Sequence, residues 1–262
     1  MTKNLLYIDI PEFKPEYDGE TEYGYEGKPR ENLERLLREK SENHCMYCYA
    51  LLKSDRAETG EVDHAIEKTL SNILWNCVPN LALLCHNCNA SLKRVGERKR
   101  KAQAVSAMEE FEKDLNCLGT KCKGECEKYS KLKEVYCEAG KIILQPMGVV
   151  SKTSGNKLCL QYDIFNAEFV ASQKYKYDGA DFAYIENHIA QFRLNDRGFK
   201  TTALAEFIED AINADGKYNK IRKRYSNYIV DLFIDILEKL SEEEAVELCE
   251  KLYIRYKVLH MF

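Results

Sequence analysis

The chain has 262 residues and a formal net charge of −4, which argues against a protein that coats nucleic acid through its overall charge. No run of about 18 apolar residues occurs, so no transmembrane helix is expected. The opening MTKNLLYIDIPEF is too short in its apolar part for a signal peptide, and we therefore expect a cytoplasmic protein. Eleven cysteines are many for a reduced compartment, where C-x-x-C pairs indicate metal or redox chemistry rather than disulfides.

Residues 1–30 combine a short apolar start with an acidic, tyrosine-rich segment from Pro11 to Tyr25. Charged runs with few aliphatic residues seldom form a core, so we interpret this region as a solvated N-terminal arm. A lid that binds a partner or mimics DNA is the alternative interpretation. A helix is predicted next, over residues 31–43, because its leucines repeat at i, i+3 and i+4.

Two C-x-x-C pairs frame the segment that follows this helix: Cys45 with Cys48, and Cys85 with Cys88. Four thiolates at this spacing are typical of a tetrahedral zinc site. Because sulfur fills all four positions, no position remains for water, and such a zinc ion is structural. We expect it to supply much of the folding energy of a short segment that has little core of its own.

Between the pairs the sequence predicts two strands, and a helix after them. The first strand ends at His64, a second apolar run spans Leu81 to Leu84, and the helix begins at Asn89. Residues 31–104 are therefore predicted to form a β–β–α core that the zinc ion closes. Six cations at its end are predicted to contact nucleic acid: Lys93, Arg94, Arg98, Lys99, Arg100 and Lys101.

The polar residues of this core are the parts that metal-assisted phosphodiester hydrolysis needs. Asp63 and Asn89 carry hard oxygens of the kind that Mg²⁺ or Mn²⁺ binds. His64 carries an imidazole that can take a proton from water near neutral pH. Lys93 follows Asn89 by one helical turn and is placed to hold a phosphate. Each residue alone is more often a surface, turn or capping residue, and the prediction depends on their joint placement around the cysteines.

Residues 105–140 bring a second group of cysteines at irregular spacing: Cys117, Cys122, Cys126 and Cys137. Three interpretations stay open. The group binds a second metal ion, or its members are separate reduced cysteines in a helical insertion, or two of them form a redox-sensitive disulfide. The irregular spacing favours the helical insertion.

Residues 141–262 are predicted to form small strands followed by helices. Strands are expected at Ile142–Leu144, Leu158–Tyr162 and Glu168–Val170, and helices over residues 201–214 and 217–240. Ser241 and Glu244 form a capping-box pattern that opens a last helix. This helical region is expected to serve packing or oligomer formation rather than catalysis.

The Asp63-His64 pair, Asn80 and Asn89, framed by the two C-x-x-C pairs, resemble the motif of HNH (ββα-metal) endonucleases. The resemblance covers about residues 43–95, and it implies an α+β fold, a divalent metal ion and hydrolysis of DNA. It also implies that His64 is the general base and that Asn80 braces the metal loop and the histidine. Asn89 stands where a histidine is common in this family, although an Asp-His pair with a final Asn also recurs among Mg²⁺-dependent members.

Three stretches beyond the motif resemble the HNH subunit of Septu-type antiphage defence systems: Ile142 to Pro146, Tyr177 to Gly179 and Phe192 to Arg197. Such subunits work with a separate ATPase, and this chain has no G-x-x-x-x-G-K-[ST] phosphate loop of its own. The resemblance thus implies DNA and an ATPase subunit as partners.

Two further hypotheses stay open. In the first, the chain is a zinc-knuckle module that binds nucleic acid or protein without catalysis. A pure binding knuckle has no use for Asp63, His64 and Asn89, which is the feature that separates it from a nuclease. In the second, the chain is a nuclease that is silent until a partner binds.

Overall fold

A computed structural model describes residues 6–54, 57–113, 117–124, 126–196, 199–214, 225 and 227–259. The chain forms two compact units. The cysteine unit comprises Pro11–Cys159 and Ala171–Arg193, and the terminal unit comprises Met1–Ile10, Leu160–Val170 and Leu194–Phe262. Helices accompany small sheets, which confirms the predicted α+β class. Within the described ranges, no helix is both long enough and apolar enough to cross a membrane.

In the described residues the strands are β1 (Tyr7–Asp9), β2 (Lys53–Ser54), β3 (Ala57–Glu58), β4 (Glu61–His64), β5 (Leu81–Leu84), β6 (Leu160–Asp163) and β7 (Glu168–Ala171). The α-helices are α1 (Gly27–Lys40), α2 (Glu97–Gln103), α3 (Val105–Glu112), α4 (Glu127–Gly140), α5 (Gly179–Gln191), α6 (Phe199–Asn213), α7 (Tyr228–Leu237) and α8 (Glu242–Val258). Short 3-10 turns at Asn72–Asn76, Val78–Asn80 and Gly119–Lys121 connect some of them.

The cysteine unit is built around the antiparallel pair of β4 and β5, in which His64 lies opposite Leu81 and Asp63 lies opposite Ala82. Every residue of β5 is buried, whereas β4 alternates between exposed and buried positions. A strand with such alternation presents one face to the core and one to solvent. A helical turn, Cys88–Leu92, follows β5 and leads into α2. The order strand, strand, helix is the one that the sequence predicts here.

The acidic segment before α1 is not the solvated arm that its charge predicts. Phe13, Tyr17 and Tyr23 are all buried, and the rings of the two tyrosines are in edge contact at 5.3 Å. Because aromatic rings bury a large apolar area while their neighbours stay charged and exposed, a segment of acidic composition can still pack. Helix α1 also begins earlier than predicted, at Gly27 rather than residue 31.

The run Ile142–Leu144 is buried but does not form the predicted strand. The backbone N–H of Ile143 donates to Nδ1 of His188 at 3.1 Å, and the carbonyl of Ile142 accepts from the hydroxyl of Tyr184 at 2.9 Å. Side chains of α5 thus form the backbone hydrogen bonds that a neighbouring strand would form in a β-sheet. A short apolar run alone does not distinguish these two ways of satisfying a buried backbone.

The terminal unit holds a three-stranded sheet in the order β1-β6-β7, with β1 and β6 antiparallel, and the helices α6, α7 and α8. Helix α6 packs on α8 and on α7. The capping box of α8 is confirmed, since Glu244 N–H donates to Ser241 Oγ at 3.2 Å and Ser241 N–H to Glu244 Oε2 at 3.0 Å. Of the long helix predicted over residues 217–240, residues 217–224 and 226 lie outside the described residues, and the rest contains α7.

Candidate metal centre and adjoining cavity

Four cysteines meet at one point of the cysteine unit. One sulfur each from Cys45, Cys48, Cys85 and Cys88 lies within 4.8 Å of the other three. Cys45 and Cys88 are buried, and the other two are partly exposed. Four thiolates at this separation can hold a metal ion such as zinc, with no position left for water.

Local backbone structure brings the two pairs together. Cys45 opens a tight turn in which Tyr49 N–H donates to the Cys45 carbonyl at 2.9 Å, and Tyr49 takes a left-handed φ of +61°. The second pair follows β5 directly. Backbone N–H groups point at the sulfurs: Cys85 N–H donates to Cys45 Sγ at 3.3 Å, and Cys88 N–H donates to Cys85 Sγ at 3.4 Å. Hydrogen bonds from neighbouring cysteine side chains, Cys45 first, lower the pKa of the Cys85 thiol, whereas burial raises the pKa of the Cys45 thiol.

A cavity of about 290 Å³ adjoins β4 and the start of the helical segment. Six of the residues predicted for the site line it: Asp63, His64, Asn89, Lys93, Arg94 and Lys101. The structure therefore brings together the proposed base, both proposed metal ligands and three of the six cations. Charged residues outside the prediction, among them Glu67 and Lys68, complete the lining.

His64 is held in one tautomer. Its Nε2 lies 2.9 Å from the carbonyl oxygen of Trp75, and a carbonyl can only accept, so Nε2 carries the proton and Nδ1 keeps its lone pair. The ring of Tyr25 packs against the imidazole with centroids 4.4 Å apart. Burial is the largest influence on the pKa of His64 and lowers it, so the imidazole is neutral at neutral pH. A neutral, oriented imidazole is suited to accept a proton.

Asn80 fixes the chain immediately after His64. Its Nδ2 donates to the carbonyl of Ile66 at 2.8 Å, and its Oδ1 accepts from the N–H of Ile66 at 2.8 Å and from the hydroxyl of Tyr129 at 3.0 Å. The backbone N–H of Ala65 donates to the carbonyl of Asn80 at 2.7 Å. Asn80 is fully buried, so all these bonds form away from water. An apolar substitution would leave several backbone groups without partners.

Asp63 and Asn89 each already have a side-chain partner. The Lys93 ammonium forms an ion pair with Asp63 Oδ2 and donates to the carbonyl of His64 at 2.5 Å. The amide of Asn89 donates to Glu61 Oε2 at 2.6 Å, and this hydrogen bond is the main reason why the pKa of Glu61 is lowered. Carboxylate and amide oxygens on one cavity wall fit a hard divalent cation, and the position of Lys93 shows that positive charge is favoured beside Asp63.

Comparison with protein-family models, with curated proteins and with solved structures gives no match for this chain. The case for a function therefore depends on the site itself.

Two of the six predicted nucleic-acid contacts are wrong because their side chains are buried. Lys93 is 3% exposed and binds Asp63, and Arg100 is completely buried. The Arg100 guanidinium donates to the carbonyls of Lys93 and Val95 and lies 5.2 Å from the ring centre of Tyr136. Arg100 thus joins the turn after the helical segment to α4, and it is a structural residue.

The other four cations reach solvent to differing degrees. Arg94, Arg98 and Lys99 are exposed. Lys101 is partly buried, where it forms an ion pair with Glu97 and donates to the hydroxyl of Thr69 at 3.1 Å. Among these four, Arg94 and Lys101 also line the cavity. The accessible positive charge near Asp63 is therefore smaller than the run of basic residues suggests.

The four sulfurs of the second cysteine group do not lie together at metal-binding distance. Cys137 is buried in α4, where burial raises its pKa to about 11 and Lys133 acts in the opposite direction. Cys117 is exposed, and Cys122 and Cys126 are partly exposed. Among the described residues, the first cluster is the only group of three or more ligating side chains at metal-binding distance. Cys137 lies on the buried face of α4, so its side chain faces the interior of the protein and not the loop that carries the other three cysteines.

Sequence reasoning missed the aromatic residues around His64. Tyr25 belongs to the segment that the sequence predicts to be solvated. Trp75 supplies both the carbonyl that accepts from His64 and a ring in edge contact with Tyr25 at 5.4 Å. The Lys68 ammonium lies 3.9 Å from the centre of the Trp75 ring. No spacing in the sequence marks these residues. The one usable signal is that Trp75 is the chain's single tryptophan and lies between the two cysteine pairs.

Proposed function

We propose that this chain is a metal-dependent HNH endonuclease that hydrolyses phosphodiester bonds of DNA. The observation that carries the proposal is His64: a buried, neutral imidazole, held by the Trp75 carbonyl, on the wall of a cavity shared with Asp63 and Asn89. The order of β4, β5 and the helical segment after Cys88 supports it, as does the four-cysteine cluster beside them. A binding module needs no such histidine.

In the proposed reaction, Nδ1 of His64 takes the proton of the attacking water. The imidazolium that results keeps its Nε2–H bond to the Trp75 carbonyl, which favours the charged form as it appears. Asn80 keeps the segment after His64 in place, so the base does not move away from the phosphate. Arg94 lies on the cavity wall and is exposed, and it contacts a phosphate oxygen of the backbone.

Asp63 and Asn89 would hold the divalent ion, Mg²⁺ or Mn²⁺, through one carboxylate and one amide oxygen. When bound, the ion stabilises the negative charge that develops on the phosphate and on the leaving oxygen. Its binding requires Asp63 to exchange the Lys93 ammonium for the ion and requires Asn89 to turn its amide oxygen toward the cavity. Both changes are side-chain rotations on a partly exposed wall.

The proposal extends to biological context through the sequence resemblance: the chain acts in antiphage defence together with a separate ATPase subunit. This part depends on the resemblance alone. It predicts that an ATPase subunit co-purifies with the chain or increases its nicking activity when added.

The decisive experiment is nicking of supercoiled plasmid by purified protein with Mg²⁺, Mn²⁺ or a chelator. It is run with wild type, His64→Ala and the matched control His86→Ala. His86 belongs to the same motif, but its side chain is 82% exposed and contacts only the edge of the site through Glu61. We expect metal-dependent nicking by wild type and by the control, and none by His64→Ala. Circular dichroism and zinc content of each variant establish that the fold is intact.

Three outcomes distinguish the hypotheses. Equal nicking by wild type and His64→Ala would refute His64 as the base. DNA binding with no cleavage, alone or after addition of a candidate ATPase subunit, would favour the non-catalytic zinc-knuckle module. Cleavage that begins only when the ATPase is added, and that still requires His64, would support the complex-dependent nuclease.

A further inference from the structure

Cys77 lies in the middle of the segment that orients His64, the proposed base, and that contains Asn80. It stands between Trp75, whose carbonyl accepts from His64, and Asn80, whose side chain holds Ile66. Its side chain is 5% exposed. Burial is the main cause that raises the pKa of the Cys77 thiol, followed by the negative charges of Cys117, Cys126 and Cys122 in that order. Cys77 directly follows the turn Asn72–Asn76, and Cys117 and Cys122 lie on either side of the turn Gly119–Lys121.

The backbone explains how these cysteines approach Cys77. The 3-10 turn Gly119–Lys121, between Cys117 and Cys122, packs against the turn Asn72–Asn76. Gly24 lies between the two turns. A Cβ on Gly24 would be 3.0 Å from Thr120 Cγ2 and 3.2 Å from Asn76 Oδ1, and Tyr23 N–H donates to the Thr120 carbonyl at 2.8 Å. Asn76, next to Cys77, and Thr120, between Cys117 and Cys122, thus both pack against Gly24.

Two of the cysteines carry the same kind of N–H to sulfur bond as the first cluster. Gly119 N–H donates to Cys117 Sγ at 3.4 Å, and Tyr129 N–H donates to Cys126 Sγ at 3.4 Å. In the first cluster Cys88 N–H donates to Cys85 Sγ at the same distance. Backbone donors aimed at sulfur stabilise a thiolate, which is the form that binds a metal ion.

A buried hydroxyl beside these sulfurs has no partner. Tyr17 is 8% exposed, and its Oη makes no hydrogen bond to any described residue. A Cβ on Gly124 would be 2.5 Å from Tyr17 Cδ2, which places the ring against the loop that joins Cys122 to Cys126. After burial, the charges of Cys122 and Cys77 are the largest influences that raise the pKa of Tyr17. A buried hydroxyl left unpaired is unfavourable, and a metal-bound thiolate is an acceptor that would satisfy it.

We propose that Cys77, Cys117, Cys122 and Cys126 bind a second structural zinc ion, with the Tyr17 hydroxyl donating to one of the thiolates. Binding draws in the four sulfurs, which are not yet at the mutual distance of the first cluster, and releases the protons of the thiols. Cys77 replaces Cys137 of the sequence prediction. The ion anchors the segment from Trp75 to Asn80, and so the groups that orient His64.

Metal stoichiometry tests this proposal without any assay of cleavage. Protein purified with zinc in the medium is analysed by plasma mass spectrometry against protein concentration from amino-acid analysis. We expect two zinc ions per chain in wild type and one in Cys77→Ser and in Cys117→Ser. Cys137→Ser and Cys159→Ser are matched controls that keep two, and Cys48→Ser, which removes a ligand of the first cluster, leaves one.

Cys117 is exposed, so its substitution tests the site even if Cys77→Ser fails to fold. Cobalt substitution of wild type gives a second measurement, because thiolate-to-cobalt absorption per chain should be about twice that of Cys48→Ser. One zinc ion per wild-type chain, or a loss of zinc in Cys137→Ser, would overturn the proposal. So would a disulfide among the four cysteines, found by mass spectrometry after alkylation of protein purified under reducing conditions. Zinc content and plasmid nicking are measured separately, so a failure of the second zinc site can be distinguished from a failure of the proposed nuclease function.

Discussion

His188 gives the most direct test of the packing of the cysteine unit. It lies on α5, is 2% exposed, and accepts a hydrogen bond at Nδ1 from Ile143 N–H. Burial lowers the pKa of His188 to about 3. Protonation in the folded state would place a cation among apolar groups and would destroy the acceptor for Ile143. The unfolded chain has no such constraint, and its histidine titrates near 6.5.

The sign of the effect follows from these two pKa values. The folded pKa is the lower one, so His188 contributes its full stability above about 6.5, and the contribution falls as the pH decreases toward 3. The loss amounts to about 1.4 kcal/mol per pH unit within this range. Between pH 7 and pH 5 the free energy of unfolding should therefore decrease by about 2 kcal/mol through His188 alone.

Urea unfolding at pH 7, 6 and 5 measures this loss, followed through the fluorescence of Trp75, which belongs to the same unit. Other groups, including the metal-binding cysteines, also titrate, so wild type is compared with His188→Asn. The Asn oxygen can take the place of Nδ1 as acceptor but does not become charged. We expect His188→Asn to be less stable at pH 7 but to lose about 2 kcal/mol less than wild type on acidification. Equal pH dependence in the two proteins would refute the reasoning.

Three further predictions concern single side chains. Gly140→Ala places a Cβ 2.5 Å from Cδ of the buried Arg100, so thermal unfolding should show a loss of about 1–3 kcal/mol, whereas Gly179→Ala, which meets nothing within 4 Å, should show none. Ser241→Ala removes the cap of α8 and should cost about 1 kcal/mol in denaturant unfolding of the terminal unit; an unchanged midpoint would contradict the capping role. Lys93→Met removes the ammonium that competes at Asp63, so calorimetric titration should show tighter Mn²⁺ binding than in wild type; weaker binding would mean that Lys93 assists the ion.

The sequence predicts local features of this protein well. The first cysteine cluster, the two strands beside it and the capping box of α8 depend on residues a few positions apart or on paired spacing, and each is found where expected. Ile142–Leu144 does not form the predicted strand, because an apolar run does not show which groups will satisfy the hydrogen bonds of its backbone.

Long-range features could not be predicted in the same way. Nothing in a run of basic residues shows that Lys93 and Arg100 turn inward while Arg98 and Lys99 stay exposed, since that depends on Asp63 and on α4. Four cysteines within residues 117–137 form a natural group by proximity in sequence. In the structure, the turn between Cys117 and Cys122 packs against the turn that precedes Cys77, with Gly24 between them, and no local sequence pattern encodes this contact.

The segment from Trp75 to Asn80 links these observations. It has little regular structure beyond two 3-10 turns, yet it supplies the carbonyl that fixes the tautomer of His64 and the side chain that fixes Ile66. A displacement of about 1 Å at a catalytic base can cost on the order of a hundredfold in rate, so such a segment needs support from outside. Tyr129 provides one support through its bond to Asn80. A metal ion at Cys77, as proposed above, would provide a second support within the same short stretch.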